Sequence, residues 1–154
     1  MTFFNIALIL HIVGIVIIAG TTFTNFFIAR QFWNCIEADK QKAVIINSSA
    51  VVFGRLTGIG GMLTILSGVS MVAALHGAIA SQIWFQIKMA LVVLIILNAT
   101  FFARTQNRKL QQLLFAGTYA TNELLIIRSR MNFYYAVQFI LLLIIFILSV
   151  FRFN

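Results

Sequence analysis

Four stretches of this chain, Phe4 to Ala29, Leu56 to Leu75, Ile83 to Phe102 and Asn132 to Phe151, run on with at most one charged residue each. Each has the roughly 20 residues an α-helix needs to cross a hydrocarbon core about 30 Å thick. Barrel strands would instead show short segments alternating every second residue, which excludes a barrel and leaves helices as the spanning form. The expected architecture is all-α: one domain, 1–154, folded as an up-and-down antiparallel bundle of four transmembrane helices.

Composition agrees with the runs. With 62% of 154 residues hydrophobic and 9% charged, a soluble fold of this size could not hide its apolar surface, so the lipid bilayer is the expected partner. The first run has no basic residue ahead of it and is too long for the apolar part of a cleaved leader. It is expected to remain as a helix. The chain has no proline, so any kink must come from glycine or an inserted side chain.

The net charge of +8 reflects topology. Arg30, Lys40, Lys42 and Arg55 flank the first loop, and Arg104, Arg108, Lys109, Arg128 and Arg130 flank the third. The short second loop, His76 to Gln82, has no basic residue apart from the histidine. The positive-inside rule then puts the two basic loops in the cytoplasm and both termini outside a cytoplasmic (inner) membrane, with Arg152 alone voting against. Basic loops facing anionic headgroups account for the charge without nucleic acid. Cys35 is the single cysteine, so no internal disulfide forms, and the reading is a free thiol with juxtamembrane lipidation as the alternative.

The first loop, Arg30 to Arg55, has room for a helical extension. In the third, Thr105 to Met131, Leu110, Leu113, Leu114 and Phe115 interleave with Lys109, Gln111 and Gln112, the spacing of a short interfacial helix. In the second run Gly54, Gly58, Gly61 and Gly68 share one helix face, which predicts close backbone contact with a neighbour. The alternative is room for a flat cofactor. Trp33, Trp84, Tyr134 and Tyr135 suit an aromatic belt.

Ionisable groups at membrane depth carry a cost, and His11 and Lys88 are the two that qualify. At 1.5 Å per residue they lie roughly 10 Å and 8 Å below the outer boundary. A neutral imidazole in an apolar helix suits heme iron, but equally a hydrogen-bonded packing role. Lys88 suits a porphyrin carboxylate, or snorkels to the headgroups. A second axial ligand is not evident among His76, Met71 and Met62, and Gln86, Asn98 and Asn132 are the other polar groups in or near the runs. Glu37, Asp39 and Glu123, all in loops, are the only acids, so no paired-carboxylate site exists within the bundle. No CxxC, HExxH or phosphate-loop pattern occurs. No discontinuous helix marks a transporter's ion path.

Four stretches together carry a family resemblance: Leu10-His-Ile-Val-Gly-Ile-Val with Ala19-Gly20; Arg55-Leu56 followed by Gly60-Gly-Met62 and Gly68; Trp84-Phe-Gln-Ile-Lys88 with its aliphatic run; and Arg130-Met-Asn132. In that order they resemble the HemJ-type protoporphyrinogen IX oxidases, small heme-containing bacterial membrane proteins related to the CopD-like group. The resemblance implies heme b with His11 as iron ligand, Lys88 as a catalytic residue that also holds a carboxylate of heme or substrate, and Met62, in Gly61-Met62, beside the cofactor. It implies oxidation of a porphyrinogen, with electrons passed to a quinone or another carrier. The chain departs from the family where it reads Ile17-Ile-Ala-Gly20 without a tryptophan, and at Gln86, Asn98 and Asn132-Phe-Tyr-Tyr. The alternative from a different class is a non-catalytic accessory or assembly protein without cofactor. Self-association as a homo-oligomer stays open.

Overall fold

The computed structural model describes residues 2–36, 38–76, 80–99, 105, 108–110, 112 and 121–150. Among these the regular structure is helical throughout, and it includes α1 (Thr2–Cys35), α2 (Lys40–Ala74), α3 (Ile83–Leu97) and α4 (Thr121–Val150). By length and composition α1, α2 and α4 are able to cross a membrane. α3 is a shorter apolar helix of 15 residues. The expected end of the third run, and most of the expected interfacial helix around Leu113 to Phe115, lie outside the described residues. The chain packs as two compact units, Met1–Phe85 and Gln86–Asn154.

The first loop is corrected by the structure. Arg30 to Arg55 is almost entirely helix: α1 runs on to Cys35 and α2 begins at Lys40. The segment holds no proline, and the turn needs only residues 36–39, tightened by Asp39 N–H donating to the Cys35 carbonyl at 2.8 Å. The Asp39 carboxylate then accepts from the Lys42 N–H at 3.0 Å, which satisfies one of the open donors at the start of α2. At its other end α2 stops where His76 takes φ 51, the left-handed conformation that closes many helices and costs a residue with a Cβ about 1 kcal/mol. α4 likewise begins at Thr121, well before the expected Asn132.

α1 and α2 pack along their length as an antiparallel pair. Their register can be read from cross-contacts: His11 meets Ser67, Gly14 meets Gly60 and Thr64, and Thr21 meets Thr57. As the number rises along α1 it falls equally along α2. The covered residues recur at alternating intervals of three and four, Ala7, His11, Gly14, Ile18, Thr21, Asn25, Ile28 and Phe32 on α1, against Ala43, Ile46, Ala50, Phe53, Thr57, Gly60, Thr64 and Ser67 on α2. A 3.5-residue repeat on both partners is the signature of a left-handed coiled coil.

The glycine expectation is met by different glycines. A Cβ built on Gly14 would lie 2.9 Å from the Thr64 nitrogen and 3.0 Å from the Gly60 carbonyl oxygen. One on Gly60 would lie 2.8 Å from Ile17 Cγ2 and 3.1 Å from the Gly14 carbonyl oxygen. Gly54, Gly58 and Gly61 have nothing within 4 Å of that position. They sit off the seam, and Gly68 alone of the expected four takes part.

The outer faces are inverted relative to a soluble protein. Phe3, Ile9, Val16, Leu66, Phe133 and Phe146 leave most of their surface open, far beyond the apolar patch a water-soluble monomer exposes. Outward hydroxyls bond back to their own helix: Thr24 to the Gly20 carbonyl at 2.9 Å, Ser70 to Leu66 at 2.9 Å and Ser149 to Ile145 at 2.7 Å. Such back-bonding satisfies hydroxyls where surrounding lipid offers no partner.

The seam predicts its own mutational pattern. Gly14→Ala and Gly60→Ala should each lower hairpin stability by about 1–3 kcal/mol, the usual range for overpacking. Gly54→Ala and Gly58→Ala should be neutral or stabilising by up to about 1 kcal/mol. Unfolding of the detergent-solubilised protein in sodium dodecyl sulfate, followed by circular dichroism, separates the two pairs.

Candidate functional site

His11 sits on the seam, half-buried, three residues before the close approach at Gly14. Its Nδ1 lies 2.9 Å from the Thr64 carbonyl oxygen and 3.1 Å from Ser67 Oγ. A carbonyl only accepts, so the hydrogen-bond network assigns the proton to Nδ1. In the neutral ring Nε2 then carries the lone pair. Gly68 lets the ring lie this close, since a Cβ there would be 3.3 Å from His11 Cε1.

Ser67, which with Thr57 and Thr64 lies beside the glycine face in the sequence, proves to be the partner of His11. It is 4% exposed, and its hydroxyl donates to the Leu63 carbonyl at 2.6 Å. Its oxygen is thereby turned to accept from His11. A serine in an apolar helix is ordinarily satisfied by its own i−4 carbonyl, so nothing in the sequence marks it as a partner of His11. The spacing Thr64, Ser67, Gly68 on one face is the signal that was available.

Nearly three turns further along, Thr57 Oγ1 donates to Thr21 Oγ1 at 2.8 Å, and Thr21 donates to the Ile17 carbonyl at 2.6 Å. Beyond these, Asn25 Oδ1 and Trp33 Nε1 are buried without a hydrogen-bond partner. Trp33 packs edge-on against Phe32, ring centroids 5.0 Å apart, and is 7% exposed. It is a core residue of the hairpin and not a member of an exposed aromatic belt.

Met62 lies two residues after Gly60, about 200° around the helix from the seam, and is 67% exposed. Met62 is on the face of α2 opposite the one that His11 of α1 packs against, and the structure does not bring them together. His76 is exposed at the C-terminal cap of α2, where its role is conformational. Met71 is half-buried and continues the seam one turn beyond Ser67.

In the second unit Lys88 is half-buried on α3, in line with Leu91, Ile95 and Asn98 at spacings of three, four and three. Asn98 falls at a π-turn that ends the described part of α3, a distortion common at functional positions. Its Nδ2 donates to Gln138 Oε1 at 3.1 Å. Gln138, 2% exposed, is a second polar group not foreseen, hidden among the leucines and isoleucines of α4. Lys88 and His11 belong to different units, and each is placed only within its own.

Among the described residues no three His, Cys, Asp or Glu side chains come together as a metal site. A bare ion has too few donors there. An iron that brings four equatorial nitrogens needs only an axial imidazole, and His11 is of that kind.

These features define a helical membrane protein whose first unit is an antiparallel hairpin clamping one histidine. No family model, curated protein or solved structure matches the chain.

The Thr21–Thr57 pair can be tested directly. A double-mutant cycle of Thr21→Val and Thr57→Val, read by the same detergent unfolding, should give a coupling of about 0.6 kcal/mol, typical of interhelical hydrogen bonds in lipid.

Proposed function

We propose that this chain is a heme-b-binding membrane oxidoreductase, with His11 as an axial ligand to iron and Lys88 holding a carboxylate of heme or of a porphyrinogen substrate. The observation that carries the reading is the Nδ1–H of His11 directed at the Thr64 carbonyl. Metal-bound histidines characteristically donate their second nitrogen to a carbonyl or carboxylate, which fixes the tautomer and presents the other nitrogen to the metal. Heme, when bound, supplies one-electron chemistry at iron. The chain's own residues supply the axial nitrogen, an ammonium for a carboxylate and an apolar surround, and electrons leave to a quinone or another carrier.

The second reading, a non-catalytic accessory protein, draws on two observations. His11 is already engaged with Thr64 and Ser67, and Met62 faces away from it. In that reading the imidazole fixes hairpin register and no cofactor is involved.

An absorption spectrum decides between them. Detergent-purified protein expressed with ample heme should show a Soret band that His11→Ala abolishes while helicity is retained. Lys88→Ala should keep the heme and lose activity toward protoporphyrinogen. Colourless wild-type protein would leave the accessory reading.

The same proposal places the protein in the inner membrane with both termini outside and the α1–α2 turn in the cytoplasm. On a Cys35→Ser background, Ser48→Cys should react with an impermeant maleimide only after spheroplasts are permeabilised, and Ala80→Cys should react in intact ones. The reverse pattern would invert the topology.

A further inference from the structure

We propose that Ser67 is a positioning residue for His11: its hydroxyl oxygen accepts from the Nδ1–H and so raises the electron donation of Nε2 to a bound iron. The inference rests on the heme reading above.

The argument is one of geometry. The Nδ1–H has two acceptors, the Thr64 carbonyl at 2.9 Å and Ser67 Oγ at 3.1 Å. The first belongs to the helix backbone and no side-chain substitution removes it. The second is a side chain whose single hydrogen is committed to the Leu63 carbonyl at 2.6 Å, so toward the imidazole it presents lone pairs. A hydroxyl that is already donating is a better acceptor than an isolated one. Ser67 is 4% exposed, so no water takes over its role cheaply. Gly68 completes the arrangement by admitting the ring edge, Cε1 lying 3.3 Å from where its Cβ would be.

An acceptor on Nδ1–H gives the ring partial imidazolate character. That strengthens the bond to iron and favours the oxidised metal. Ser67 therefore bears on affinity and potential together, without touching cofactor or substrate.

The test compares Ser67→Thr with Ser67→Val, which have the same shape and differ only in the hydroxyl. Ser67→Ala serves as a third variant should the larger side chains prevent folding. Heme affinity and midpoint potential are measured on detergent-purified protein. Ser67→Thr should match wild type, whereas Ser67→Val and Ser67→Ala should bind heme roughly tenfold more weakly. Their potential should rise by up to a tenfold change in the reduced-to-oxidised ratio, about 59 mV for one electron. A packing role would move Thr and Val alike. If wild type binds heme through His11 and the hydroxyl-lacking variants keep its affinity and potential, the positioning role is overturned while the heme reading stands. Colourless wild-type protein overturns both.

Discussion

The contact between the backbones of Gly14 and Gly60 sets the rest of the first unit. In lipid there is no hydrophobic force to draw two helices together, since a leucine gains little by leaving one hydrocarbon for another. What remains is close packing and hydrogen bonding between helices. Two glycines facing each other let α1 and α2 approach until small side chains and hydroxyls on either side come within reach. That approach brings Thr57 to Thr21 and Ser67 to His11. The 3.5-residue repeat then carries the same register along the pair. A slip of one residue would set the Val13 or Ile15 side chain where Gly14 now lies, and the polar pairs would part together.

Polarity is rationed in this structure, and where it occurs inside the described residues it is matched, save at Asn25 Oδ1 and Trp33 Nε1. His11 is held by a carbonyl and a hydroxyl, Thr57 by a hydroxyl, and Asn98 by the amide of Gln138. An imidazole held at Nδ1 is rigid in tautomer and in plane. Either use of it, gripping a neighbouring helix or gripping a metal, profits from the same clamp. The two readings of function therefore share a site and differ only in what Nε2 is for.

The existence of the helices is legible in the sequence because length and apolarity act additively over some 20 residues. Their ends are not. Between Arg30 and Arg55 the charged residues suggest a loop, yet Ala43-Val-Ile-Ile and Ala50-Val-Val-Phe are as able to continue a helix as to leave one. Asp39 is the cap the helix uses, while Asn47, Ser48 and Ser49, of the same capping chemistry, lie inside α2. The seam is hidden for another reason. Hydrophobic periodicity reveals a face by contrast, and here the buried positions are Ala, Gly, Thr and Ser among outward Leu, Ile and Phe, the reverse of the familiar pattern. The evenly spaced glycines of α2 draw attention, while Gly60, in close contact, sits between them. His11 stands out by its chemistry. Its partners do not, because serine and threonine in apolar helices are usually content with their own backbone.

The length of the hairpin has a consequence for what surrounds it. Helices of 34 and 35 residues are about 50 Å long, against a hydrocarbon core of about 30 Å, so an upright hairpin is sheathed in oil for only part of its run. The seam changes character along the same axis. From Ala7 to Thr21 it is small and polar, the mortar of helices in lipid. From Ile28 to Ile36, against Ala43 to Phe53, it thickens into Phe32, Trp33, Ile46 and Phe53, a bulkier filling. Arg55 lies near the change. One continuous zipper thus closes in two ways, by backbones in contact at one end and by bulky side chains at the other.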